Sequence, residues 1–230
     1  ARHIDLLEQE LINRGEAFFH VSGAGHEATA ALAPHLTSED YLCCHYRDKA
    51  LALARGMTAE HFFENFLNKA ASHSHGRQMT AHFSHRALNI VTMAGPVGNA
   101  ALHAVGVAQT LKRRHTSAGG CPLVLASNGE GTTQEGEFLE ALAEASREQL
   151  PVLFLIQDNR WAISTDTVGR TFYCRNTNGR METPDEFLGI PIRHMDGRDP
   201  LGVHEQLGEV VDGMRQDGSP AIAVMHVERL

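Results

Sequence analysis

The chain has no run of lysines or arginines, and its formal net charge is −8. That balance argues against a nucleic-acid or anionic-membrane surface. No apolar run is long enough to span a membrane. The N-terminal residues, Ala1-Arg2-His3-Ile4-Asp5, have no signal-peptide character and no initiator methionine, so a processed or trimmed chain is expected. There are only four cysteines, Cys43, Cys44, Cys121 and Cys174, with no CxxC pair and no disulfide framework. A reducing cytoplasm is the compartment that fits. No HExxH is found, and no internal repeat or low-complexity tract.

What is present is a 230-residue chain with 42% hydrophobic residues, enough for one large α/β domain or two small ones. Its centre is Leu123–Ser164. Leu123–Ala126 reads as a buried parallel strand. Asn128-Gly129-Glu130-Gly131-Thr132 breaks it, and Leu139, Leu142 and Ala143 recur at helical spacing as far as Glu148. After Pro151 comes a second strand, Val152–Ile156, which runs into Gln157-Asp158-Asn159. A strand–helix–strand unit brings both strand ends to one sheet edge, where open α/β sheets bind ligands. Glu130 and Asn159 are therefore expected to meet. A carboxylate and an amide oxygen are hard ligands suited to magnesium shared with phosphate oxygens. Gly129 and Gly131 allow close backbone approach, and the helix N-terminus adds oriented N–H groups. These residues propose a magnesium–diphosphate site; an ordinary βα turn with a solvated Glu130 is the alternative they leave open.

The remainder reads in order. Residues 3–14 form a helix with Ile4, Leu7, Leu11 and Ile12 on its apolar face. Gly23 and Gly25 open a turn before a helix over His26–Ala33, stopped by Pro34. Tyr41–His45 is short and apolar, and Tyr46-Arg47-Asp48 follows. A tyrosine hydroxyl beside a guanidinium fork can grip phosphate, although Arg47 can equally pair with Asp48. Helices follow over 48–55 and 58–68. The segment from Ala70 to Asn89 has no clear period and carries His73, His75, His82 and His85. Without a carboxylate or cysteine at ligand spacing, these histidines do not read as a transition-metal cluster.

Val91–Gly98 leads into a long helix over Pro96–Arg114, with proline at its first position. His115–Gly120 is a loop, and Thr165–Arg180 a long polar segment expected to be poorly ordered without a ligand. Thr183–Phe187 restarts a helix, and Ile190-Pro191-Ile192 is a short strand with a turn over Met195–Asp199. A helix spans 201–215, and Ala221–Val227 is the last strand.

Gly129-Glu130-Gly131 followed by Asp158-Asn159 resembles the thiamine diphosphate motif, with Glu in place of the usual middle Asp and Asp-Asn in place of Asn-Asn. Gly25-His26-Glu27-Ala28, Tyr46-Arg47-Asp48, Gly76-Arg77-Gln78-Met79 and Trp161-Ala162-Ile163-Ser164 extend the likeness. Together they resemble the alpha subunit of the first component of 2-oxo acid dehydrogenase complexes, the branched-chain (2-oxoisovalerate) type above all. The resemblance implies an open, mostly parallel sheet with helices on both faces, in a single thiamine diphosphate-binding domain over 1–230. It implies oxidative decarboxylation of a 2-oxo acid with reductive acylation of a lipoyl group. Glu130, Asn159 and the Trp161 carbonyl would hold Mg2+. Tyr46, Arg47, Gly129, Gly131 and Thr132 would hold the diphosphate, and Gly95 and Val97 the aminopyrimidine end. His82 is a candidate for substrate contact or proton handling, while His26 and Glu27 are expected to brace the fold. The implied partners are a beta subunit or fused beta portion and a lipoyl acyltransferase, in a heterotetramer or dimer of alpha–beta units. A further catalytic histidine is expected beyond Leu230, so a C-terminal truncation is expected. Acetoin dehydrogenase-type and pyruvate dehydrogenase-type enzymes, or a scaffold that keeps the fold without catalysis, are the alternatives.

Overall fold

The computed structural model describes residues 1–114 and 121–230; the loop expected at His115–Gly120 lies outside them. In chain order come α1 (Arg2–Asn13), a 3₁₀ helix (Glu27–His35), β1 (Tyr41–Cys43), α2 (Lys49–Arg55) and α3 (Ala59–Phe66). Next are α4 (Asn99–Arg114), β2 (Val124–Gly129), a 3₁₀ turn (Glu130–Gln134), α5 (Gly136–Glu148) and β3 (Val152–Asp158). Short strands follow: β4 (Trp161–Ala162), β5 (Thr165–Asp166), β6 (Arg170–Thr171), β7 (Cys174–Thr177), β8 (Arg180–Glu182) and β9 (Glu186–Phe187). The chain closes with β10 (Ile190–Asp196), α6 (Pro200–Asp217) and β11 (Ala221–His226).

Six strands make one sheet in the order β1-β2-β3-β11-β10-β9, parallel except for β9. The central strands β2, β3 and β11 bury both faces, so alternate residues feed two cores. Leu125, Leu153, Leu155, Ala223 and Met225 pack with Leu32, Leu51 and the α6 residues Val203, Leu207 and Val211. Val124, Ala126, Phe154, Ile156 and Val224 face the opposite way, onto Ala101, Ala104 and Ala108 of α4 and Phe138, Ala141 and Leu142 of α5. The expected mostly parallel sheet, covered on both sides by helices, is what forms.

Several elements differ from the sequence reading. The segment from His26 to Ala33 is not an α-helix stopped by proline: it is a 3₁₀ helix over Glu27–His35 with Pro34 inside it. The long helix starts at Asn99 rather than Pro96, because Gly98 has φ +88, outside the helical region. Thr183–Phe187 is not helical. Glu186–Phe187 pairs antiparallel with β10 across a two-residue turn, Leu188-Gly189, in which both residues have positive φ; that is the geometry of a tight hairpin. The polar segment after Ser164 forms paired strands, a β4–β5 hairpin and a three-stranded β6–β7–β8 meander. The α1 helix buries Ile4, Asp5 and Glu8, whereas Leu7 is exposed. Its inner face is acidic because the buried Lys49 ammonium sits 2.5 Å from both an Asp5 and a Glu8 carboxylate oxygen.

Candidate active site

The carboxyl ends of β2 and β3 define the site. These strands pair in parallel with Gly129 opposite Gln157, so the residues that follow each strand emerge side by side. Glu130 starts its 3₁₀ turn there, and Asn159 follows the last residue of β3. The Asn159 N–H donates to Glu130 Oε2 at 3.4 Å. The other oxygen, Oε1, is buried without a hydrogen-bond partner. Burial and the nearby Asp158 charge raise the Glu130 pKa, against hydrogen bonds from the Glu130, Asn159 and Trp161 amides. A buried carboxylate oxygen with no partner is costly unless a cation or proton meets it. Asn159 Oδ1 accepts the Trp161 N–H at 3.0 Å. One carboxylate and one amide, both lining the same cavity, offer the oxygen donors that hard divalent cations take.

A cavity of about 280 Å³ opens at this edge, lined among others by Tyr46, Arg47, Val97, Glu130, Thr132 and Trp161. Gly129, Gly131 and Asn159 also line it. Of the residues expected to hold a cofactor, Gly95 alone is absent from this lining. It sits on an exposed bend where an added Cβ would meet nothing within 4 Å. Val97 is on the rim, 43% exposed. At Gly131 a Cβ would come within 2.6 Å of the Ala162 Cβ, so glycine there lets β4 close over the turn. The Arg47 guanidinium is held by the Ser22 carbonyl at 2.7 Å and stacks over the Tyr46 ring at 5.2 Å, a cation–π contact.

His82 is buried and does not line the cavity. Its Nδ1 contacts the Thr80 carbonyl at 3.0 Å, and its ring centroid lies 6.5 Å from that of Tyr46. The neighbouring histidines His73, His75 and His85 form no metal-ligand group among the described residues. Among the described residues the one cluster with such spacing is Asp5, Glu8 and His20, and there the Lys49 ammonium supplies the positive charge. Glu27 does brace the turn: it accepts the Gly25 N–H and pairs with Arg2, both at 2.8 Å.

The sequence reading missed a buried polar network that reaches the cavity wall through His26 and Gln157. Gln157, fully buried on β3, touches Asp48 Oδ1 at 2.6 Å, Ser127 Oγ at 2.8 Å and His26 Nδ1 at 2.8 Å. His26 Nε2 lies 3.3 Å from Asn159 Nδ2. Burial pushes the His26 pKa down to about 4 and that of Asp48 up to about 6. His45 lines the cavity, with its pKa driven well down by burial and then by the Arg47 charge. The available signal was Gln157 itself, a long polar side chain ending a five-residue apolar strand, which burial obliges to find partners.

Residues 1–227 match the family model described as dehydrogenase E1 component. The alpha subunit of 2-oxoisovalerate dehydrogenase from Bacillus subtilis is 32% identical over 227 residues, covering 96% of this chain and 66% of that protein. The mitochondrial 2-oxoisovalerate dehydrogenase subunit alpha 1 of Arabidopsis thaliana is 28% identical, over 99% of this chain and 46% of its own. The pyruvate dehydrogenase E1 alpha subunit of Porphyra purpurea is 26% identical, over 89% and 59%. The chain thus spans roughly half to two thirds of the length of these relatives. In three dimensions a transketolase from Campylobacter jejuni aligns with a TM-score of 0.65 at 18% identity, over 97% of this chain and 36% of that one, a likeness of fold. The chain belongs to the dehydrogenase E1 component family.

Proposed function

We propose that this chain is the alpha portion of a thiamine diphosphate-dependent 2-oxo acid dehydrogenase, and that its cavity holds the magnesium–diphosphate end of the cofactor. The observation that carries the reading is the buried, unpartnered Oε1 of Glu130 beside Asn159 at the sheet's carboxyl edge. Glu130, the Asn159 amide oxygen and the Trp161 carbonyl would hold Mg2+. Arg47 and Tyr46 would bind the diphosphate together with the amides of Gly129, Gly131 and Thr132, where the Gly131 backbone is free of a Cβ. Val97, on the rim, would bear on the cofactor's ring system. Bound thiamine diphosphate supplies the carbon nucleophile and electron sink that decarboxylation of a 2-oxo acid requires. The chain's own contribution is to neutralise the diphosphate and to fix its orientation.

The branched-chain acid is the proposed substrate, since the 2-oxoisovalerate subunit of Bacillus subtilis is 32% identical against 26% for the pyruvate subunit of Porphyra purpurea. A beta portion, separate or fused, and a lipoyl acyltransferase would complete the reaction, in alpha–beta units paired as a heterotetramer or dimer. A reducing cytoplasm is the proposed compartment, supported by four cysteines that are all free; no helix among the described residues is long and apolar enough to cross a membrane.

The test uses the full-length protein assembled with its beta portion, supplied with 3-methyl-2-oxobutanoate, pyruvate or 2-oxoglutarate. Turnover is expected to require both thiamine diphosphate and Mg2+ and to be fastest with 3-methyl-2-oxobutanoate. Glu130→Ala removes a charged ligand and should weaken cofactor binding by more than the roughly 10- to 100-fold seen for outer-sphere changes at metal sites. Unchanged cofactor affinity in Glu130→Ala would overturn the assignment. Cofactor binding without decarboxylation of any of the three acids would favour an acetoin-type enzyme or a scaffold.

A further inference from the structure

The buried network at the cavity wall has a direction, and one of its ends is a backbone amide. The Trp161 N–H can only donate, so the Asn159 atom 3.0 Å from it is the oxygen. The other terminus of that amide is therefore the NH₂ group, and it lies 3.3 Å from His26 Nε2. His26 Nε2 must then accept, which leaves the ring proton on Nδ1. Nδ1–H meets Gln157 Oε1 at 2.8 Å, and so Gln157 turns its NH₂ toward Asp48 Oδ1 and Ser127 Oγ. The Asp48 carboxylate is itself anchored by the His45 N–H on Oδ2, at 2.6 Å. Each of these links pairs one donor with one acceptor, and reversing any one of them sets two N–H groups or two acceptors face to face. His26, Gln157 and Asp48 are all buried, so water does not replace a broken link without cost.

We infer that His26 is a positioning residue for the cation site: in its Nδ1–H form, held by Gln157 and Asp48, it fixes the Asn159 amide with Nδ2 on the imidazole and Oδ1 on the Trp161 side, where the proposed cation would be met. An asparagine amide is nearly symmetric in shape, and nothing in its own rotamer prefers oxygen over nitrogen at the metal face. Turned over, it would present N–H groups to a cation and leave the Trp161 N–H without its acceptor. Outer hydrogen bonds that orient a ligand are a recurrent part of metal sites. The inference rests on the proposed cofactor site and adds a residue that acts through Asn159 rather than on substrate.

The test measures Mg2+ binding in the full-length protein with its beta portion, at fixed thiamine diphosphate, read by calorimetry and by the rise in Tm on titrating the metal. His26→Leu fills the space without a donor or acceptor; its Tm without metal should fall, since Gln157 and Asn159 lose buried partners, and the half-saturating Mg2+ concentration should rise by roughly 10- to 100-fold. His26→Gln restores one donor and one acceptor and should stay within about threefold of wild type, less than the energy of one net hydrogen bond. In an Asn159→Asp background both side-chain termini are oxygen, so adding His26→Leu should cost nothing further. If His26→Leu does not assemble, His26→Ala takes its place in the same series. Wild-type Mg2+ affinity in His26→Leu, with Glu130→Gln impaired, would overturn the inference and leave the site reading standing. So would equal loss in His26→Leu and His26→Gln, or a loss that persists with Asp at 159, since either would be a packing effect. If Glu130→Gln also binds Mg2+ normally, the site reading falls and the inference with it.

Discussion

Glu130 and His26 show what a single residue contributes here. Each is buried at the sheet edge, and each has its ionisation shifted by that burial: Glu130 upward, His26 down to about 4. The His26 shift has a consequence for stability. An imidazole whose folded pKa lies below its unfolded value of 6.5 binds fewer protons when folded, so its contribution is present above pH 6.5 and is lost as pH falls toward 4. His26→Gln removes that dependence. The variant should therefore gain stability relative to wild type as pH falls from 6.5 to 4, by on the order of 3 kcal/mol. Urea unfolding of the cofactor-free protein at three pH values measures this, and a difference that does not change with pH would contradict it. Asp48 works in the opposite sense. Its carboxyl, raised by burial to about 6, favours the fold below pH 4 and loses that contribution as pH rises through 6.

At the scale of elements, the β2–α5–β3 unit does the positioning. Its strands are nearly continuous apolar runs, and its helix shows its small and aromatic residues to one face, so its form follows from local pattern. The turn between them is tighter than the pattern conveys, because Ala162 on β4 closes directly over Gly131. Gly131→Ala must push β4 away, carrying Trp161 with it. The expected result is a wild-type far-UV spectrum with cofactor affinity reduced about 10-fold, the equivalent of roughly 1.4 kcal/mol; unaltered affinity would show that β4 yields freely. The misread elements share a cause. The Glu27–His35 3₁₀ helix, the β9 hairpin and the α4 start are set by packing and by positive-φ residues such as Leu188 and Gly98, which spacing alone does not reveal.

At the scale of the molecule, α1 is tied to α2 by charge rather than by its leucines. Lys49 on α2 reaches 41 and 44 residues back along the chain to Glu8 and Asp5, and all three are buried. Asp5 also accepts the Gly23 N–H at 2.9 Å and the Ser22 hydroxyl at 3.1 Å, and the Ser22 carbonyl holds Arg47. Lys49→Met would leave two carboxylates without their cation, a change that costs about 3–5 kcal/mol. Chemical denaturation of the full-length assembly should show that loss, and a loss below about 1 kcal/mol would mark the triad as dispensable, in the range of exposed pairs.

The sequence by itself determined the alternation of strand and helix and the meeting of Glu130 with Asn159, whereas the place of Tyr46 and Arg47 beside them was expected only from the family resemblance. The first two follow because strands in a parallel sheet bury both faces, and one crossover returns the chain to the same edge. Only the tertiary structure decided that α1 buries carboxylates, that Gly95 stands outside the cavity and His82 beneath the surface, and that His26 faces Asn159. Those outcomes depend on hydrogen-bond direction and charge pairing between residues as much as 133 positions apart, and local periodicity contains no record of such partners.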